Sequence, residues 1–112
     1  YLIINAALKF DEFGKIASSS TYQANFSDEN GNIVTKNWTN SNKFLNTKEP
    51  FNLPDGYKTV AGKTGTTLAA GNCLVLASRK DSSHTYVSVV LKAPDKPVLY
   101  DTTVKLLVDF TQ

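Results

Sequence analysis

Methionine is absent from the chain, and cysteine, histidine and tryptophan occur once each, as Cys73, His84 and Trp38. A lone cysteine excludes an internal disulfide framework and a Cys-rich zinc site. A lone histidine argues in the same way against a His-based cluster, so no metal is expected. No uninterrupted apolar run approaches the roughly 18 residues of a transmembrane helix. An excess of one charge is missing too. Twelve Lys and Arg face ten Asp and Glu, a net charge of +2, too balanced for a nucleic-acid or membrane surface. What remains is ordinary: 41% hydrophobic and 20% charged residues over 112 positions. That composition fits one globular domain over residues 1–112, neither disordered nor fibrous.

The chain opens on Tyr1-Leu2-Ile3-Ile4-Asn5 with no initiator methionine. Leu2, Ile3, Ala6, Ala7 and Phe10 recur at helical spacing, yet no Ser, Thr or Asp precedes them as a cap. An uncapped first helix suggests a chain cut from something longer. Asp11 to Ile16 continues as a short turn or helix end, and Ser18-Ser19-Ser20 is a polar linker. Thr21 to Phe26 and Asn32 to Trp38 flank Asn30-Gly31, a dipeptide that tolerates the positive φ of a hairpin turn. Thr39 to Tyr57, rich in Asn and Pro, reads as a long loop with a turn of helix near Asn42 to Leu45.

Three β-rich runs follow, at Tyr57 to Thr67, Cys73 to Arg79 and Thr85 to Lys92. Their short connectors allow only antiparallel neighbours, hence a three-stranded meander. Asn72 to Ala77 is nearly all apolar, as a central strand covered on both faces would be. Ala93 to Pro97 breaks the chain. Tyr100 to Phe110 then predicts an amphipathic helix with Tyr100, Val104, Leu107 and Val108 on its buried stripe. The expected class is α+β: N- and C-terminal helices, an extra hairpin and the meander.

The residues most suited to chemistry are Lys63-Thr64-Gly65-Thr66, at the end of the first meander strand. A ligand with a free carboxylate needs a cation and hydroxyl donors, each charge-assisted bond contributing roughly 1.5–3 kcal/mol. Lys63 supplies the charge, and Gly65 lets a ligand backbone approach. Simple alternation sends Thr64 and Thr66 to the face opposite Lys63 and Gly65. One ligand can therefore meet all four only if the strand twists locally.

Lys63-Thr64-Gly65 with Thr67, Ala70-Gly71-Asn72-Cys73-Leu74-Val75 and Ala77-Ser78 resembles the third motif of serine penicillin-binding proteins. The D-alanyl-D-alanine carboxypeptidases, kin of the class A β-lactamases, are the look-alikes. Ser88 to Leu91, Thr103 to Leu107, Ala6-Ala7-Leu8, Glu12-Phe13 and Asn40 to Leu45 are similar to the family as well. The resemblance implies a partial β-lactamase/transpeptidase-like fold, the C-terminal part of the catalytic domain. It implies that Lys63 positions substrate and organises proton transfer. Thr66 would give its backbone N–H to an oxyanion hole, and Lys63, Thr64, Gly65 and Thr66 would bind substrate. It implies peptidoglycan stem peptides ending in D-Ala-D-Ala and β-lactams as ligands, no cofactor, and an extracytoplasmic location. Many carboxypeptidases of this type place an Arg just before the C-terminal helix, near the substrate carboxylate; here no Arg stands in Pro97 to Tyr100, and Leu99 is nearest that position.

The family also needs a Ser three residues before a Lys and a Ser-x-Asn or Tyr-x-Asn pair. None of the nine serines satisfies either pattern, nor does any tyrosine satisfy the second. The isolated chain is therefore expected to be inactive, with the nucleophile in the parent enzyme. Exposed sheet edge and apolar surface would favour self-association. Three rivals stand beside this reading. A phosphate loop would need glycine at position 57, which is Tyr57, and a following helix. A β-lactamase-type fragment would share the motif. A non-catalytic glycan module would use Tyr22, Phe26 and Trp38 as a platform, where cross-strand packing is the plainer expectation. Cys73 reads as a buried, inert hydrophobe, and His84 as solvated surface with no acid beside it.

Overall fold

The computed structural model describes residues 1–111. Helices α1 (Leu2–Ala7) and α2 (Asp11–Ala17) lead into a hairpin of β1 (Thr21–Ser27) and β2 (Ile33–Thr39). Strands β3 (Lys58–Thr67), β4 (Gly71–Arg79) and β5 (Thr85–Ala93) follow, and α3 (Lys96–Phe110) closes the chain. They form two antiparallel sheets, β1-β2 and β3-β4-β5. The α+β class and the meander are as the sequence pattern predicts.

Strand β4 is central because both of its alternating side-chain sets are apolar. Leu74 and Leu76 enter the core beneath α3 with Val90, Leu99, Tyr100 and Leu107. Val75 and Ala77 face the other way and pack with Ala61, Ile4 and Phe13, beneath α1 and α2. Truncating a leucine in such a layer costs ~2–5 kcal/mol. That double cover leaves β3 as an edge strand with one side open.

Three expectations need correction. The buried residue of α1 is Ile4, with Leu8 packed beside it one turn later, while Leu2, Ile3 and Phe10 stay exposed. Several apolar faces compete in so short a run, and docking at Ala61 selects one of them. Helix α3 begins at Lys96, not Tyr100, with the Asp95 side chain accepting the Val98 N–H at 2.8 Å. Pro97 fits inside the first turn, where a missing N–H has no intrahelical acceptor to lose. The buried stripe of α3 is accordingly Leu99, Tyr100, Thr103 and Leu107, and Val108 is exposed. The hairpin aromatics are a further surprise: Tyr22 and Trp38 stack across the strands with ring centroids 6.1 Å apart, yet both remain exposed.

The hairpin turn is wider than a two-residue one. Asp28 N–H donates to the Asn32 carbonyl at 2.9 Å, and only Gly31 takes a positive φ, +80°. In the loop from Asn40 to Tyr57, asparagines replace the absent ladder with side-chain bonds to backbone. Asn40 Oδ1 accepts the Asn42 N–H at 2.9 Å, and Asn46 Nδ2 donates to the Asn40 carbonyl at 2.8 Å. Leu45 and Asn46 N–H both donate to the Asn42 carbonyl at 2.9 Å, the predicted helical turn.

Candidate functional site

Where β3 runs past its last covering residues, a cleft of about 330 Å³ opens along it. Lys63, Thr64, Gly65 and Thr66 all line it. Alternation holds, with Thr64 paired to Leu74 and Gly65 to Cys73 in register. The four still share one cavity because β3 is an edge strand, so side chains from both of its faces border the open edge. Lys63 is exposed, and its Nζ donates to the carbonyl of Thr64.

The opposite walls come from distant segments. Ser41 brings its Oγ to 2.7 Å from Thr64 Oγ1, and Lys96, Leu99 and Tyr100 contribute from the first turn of α3. Tyr100 locks these walls together. Its hydroxyl accepts the Lys43 N–H at 2.9 Å and donates to the Ser41 carbonyl at 3.4 Å. Its ring lies 5.0 Å from Phe44 and 5.3 Å from Phe51. Burial pushes the Tyr100 phenol above its ordinary pKa, opposed by the Lys43 N–H it accepts.

Asn72 ties the far end. Its Oδ1 accepts from Thr66 Oγ1 at 3.3 Å, and its Nδ2 donates to the carbonyls of Ala93 and Pro94 at 3.2 and 3.3 Å. A bulge opposite it, between Ala93 and Val90, places Lys92 at φ +60° and lets this end of β5 turn toward α3. Glycine is required twice nearby. A Cβ on Gly62 would sit 2.6 Å from Asn42 Nδ2, and Gly71, at φ +64°, lies against the Lys92 backbone.

Sequence reasoning missed Asn72, Lys96 and Tyr100 as cleft residues and gave Ser41 no role. The available signals were the Asn40-Ser41-Asn42 resemblance for Ser41 and the Ala70-Gly71-Asn72 resemblance for Asn72. Cys73 is not fully buried: half-exposed, it lines the cleft and its Sγ lies 3.3 Å from the Ala70 carbonyl. His84 is solvated, but an acid does stand beside it, with Asp81 Oδ1 3.6 Å from Nδ1. Bonds from the Ser83 hydroxyl and the Ser83 and His84 N–H groups hold the Asp81 carboxyl at a pKa of about 2. Among the described residues no group of three or more His, Cys, Asp or Glu could hold a metal, and no helix is long and apolar enough to cross a membrane.

No family model and no curated protein matches the chain. Solved structures do. The Streptomyces K15 DD-transpeptidase is similar at a TM-score of 0.76 and 25% identity, over 92% of this chain and 36% of that one. A single-residue mutant of that enzyme matches with the same values, and another at a TM-score of 0.74 and 25% identity, over 90% of this chain and 36% of its own. The chain thus spans 36% of the length of the structures it matches. Its meander, closing helix and flanking helices are part of the penicillin-binding, β-lactamase-like transpeptidase fold.

Proposed function

We propose that this chain is the substrate-anchoring portion of a serine-type D-alanyl-D-alanine carboxypeptidase, which trims peptidoglycan stem peptides through an acyl-enzyme. One observation carries the reading: Lys63, Thr64, Gly65 and Thr66 line a single cleft along a free strand edge. The likeness to DD-transpeptidase structures supports the same class of chemistry. A stem peptide lies along β3 with its terminal carboxylate toward Lys63 and the threonine hydroxyls. The Thr66 backbone N–H stabilises the oxyanion that forms when a serine attacks. Gly65 keeps the strand low enough for that approach. β-Lactams occupy the same place as mimics of the D-Ala-D-Ala end. The setting is extracytoplasmic, in the cell envelope or secreted, because that is where such peptides are.

The 112 residues hold no serine followed three positions later by lysine, so this chain anchors substrate and does not acylate. A fluorescent penicillin should leave the purified chain unlabelled, and covalent labelling would overturn that division of labour. A peptide ending in D-Ala-D-Ala should shift the amide resonances of residues 63–66, with affinity falling roughly tenfold in Lys63→Ala, the effect of losing about 1.4 kcal/mol. Shifts confined to other residues would refute the site.

A second reading has its own observation. Tyr22, Trp38 and Phe26 stand exposed on one face of the hairpin, as a sugar-stacking platform would. Quenching of Trp38 fluorescence by glycan chains, with no effect of peptides on β3, would favour it.

A further inference from the structure

Strand β3 ends at the cleft and begins at a second cavity, of about 430 Å³, bordered by Lys58, Arg79, Lys80 and Asp81. From Lys58 to Thr66 the two lie roughly 25 Å apart, at ~3.3 Å per residue. Lys58 stands directly opposite Arg79 in the β3–β4 register, so two like charges share one face, an arrangement that weakens a sheet. No acid relieves it: among the described residues the ion pairs are Lys43–Glu49 and His84–Asp81, and neither includes these cations. Two of the three charged ends are held in place. Arg79 donates from Nε and Nη2 to Thr85 Oγ1 at 3.3 and 3.1 Å, which fixes the guanidinium plane. The Lys80 ammonium lies over the Tyr57 ring, 5.5 Å from its centroid. Asp81 is the one acid on this wall, and its Oδ1 accepts from the Ser83 hydroxyl and from the Ser83 and His84 N–H groups. Three cations against one carboxylate leave the cavity with a local charge of about +2.

We infer that this cavity is a binding site for the dianionic phosphate of a small phosphomonoester, held by Lys58, Arg79 and Lys80 at the end of the sheet remote from the cleft. The inference is independent of the substrate reading above. A phosphomonoester carries close to two negative charges and three strong acceptor oxygens, which match the local charge and the number of cations. The guanidinium supplies a planar fork and the two ammonium groups supply point charges. A carboxylate offers two oxygens and one charge, and a phosphodiester two unbridged oxygens and one charge, so each leaves a cation unpaired. The cavity falls within the ~300–1,000 Å³ of small-molecule sites, which leaves room for part of the organic group. The repulsion between Lys58 and Arg79 is what an anion bound between them would relieve.

The test titrates the 112-residue chain with methyl phosphate and with dimethyl phosphate at constant ionic strength, followed by amide resonances. Methyl phosphate should shift residues 56–58 and 79–82, and dimethyl phosphate should bind roughly tenfold more weakly, the effect of one lost charge-assisted bond. Arg79→Gln should weaken methyl phosphate by a similar factor. Lys58→Glu is the sharper variant, because it sets an acid opposite Arg79. It should abolish the methyl phosphate shifts and at the same time raise the melting temperature, as a like-charge pair becomes an opposite-charge one. A variant that melts higher is folded, so its loss of binding cannot be a loss of structure. The inference falls if the two phosphates act alike, if the shifts appear at residues 63–66 instead, or if Lys58→Glu binds methyl phosphate as the wild type does. It falls equally if methyl phosphate leaves residues 56–58 and 79–82 unmoved, and the cleft and its peptide are untouched by that result.

Discussion

Tyr100 joins loop to helix by two unlike means, ring packing and a hydroxyl that both accepts and donates. Tyr100→Phe keeps the rings together but strands the Lys43 N–H, so it should cost about 1–3 kcal/mol of stability. Denaturant unfolding would measure that, and a neutral result would show that water replaces the hydroxyl. The same residue sets an alkaline limit. Its pKa is raised by burial, so the folded state holds the phenolic proton more tightly than the unfolded chain does. That contribution is fully present below the unfolded tyrosine value near 10 and is lost as pH rises through the higher folded value. Ultraviolet titration of the phenols should show one group ionising late, together with unfolding. Gly62→Ala should destabilise as well, by about 1–3 kcal/mol, since the new Cβ meets a buried amide 2.6 Å away. At this scale the sequence was only partly legible. Lys63 and its neighbours stand in a recognisable string, whereas Lys96 and Tyr100 reach the cleft through a tertiary contact that no local spacing encodes.

Among the elements, the strands were readable because period-two alternation and short connectors leave few arrangements open. Helix α3 was readable except at its start. In the sequence Pro97 reads as a break in the chain, although proline in a first helical turn loses no bond, and Asp95 ahead of it is the cap that marks the boundary. Asp95→Ala should therefore cost about 1 kcal/mol. It should also loosen the first turn, which heteronuclear relaxation at residues 96–99 would register. A rigid first turn in that variant would mean that Leu99 and Tyr100 hold it without the cap. Helix α1 was harder to read, because nearly every residue from Leu2 to Leu8 is apolar or small and the sequence cannot say which side meets the sheet.

As a whole the molecule is elongated, 55 × 35 × 26 Å, with a radius of gyration of 15.8 Å where a compact chain of this size has about 13 Å. The hairpin is the reason: none of its residues is buried. Leu2, Ile3 and Ile16 are exposed on the opening helices and Phe10 between them, as are Tyr22, Ile33 and Trp38 on the hairpin. So much uncovered apolar surface favours association with a second copy. Light scattering should find an average mass that climbs with concentration; a constant monomer mass to millimolar levels would refute this. Shape was the least legible property, since amphipathic patterning tells which residues seek cover and not whether cover is supplied.

The cleft has no local precursor. Its walls are drawn from residues near positions 41, 65 and 98, brought together only when the final helix docks on the completed sheet. Occupancy and intactness are thus thermodynamically linked: any carboxylate that fills the gap must draw the population toward the fully assembled chain. A saturating peptide should raise the melting temperature, while removal of the last fifteen residues should abolish the binding pocket together with the core beneath it.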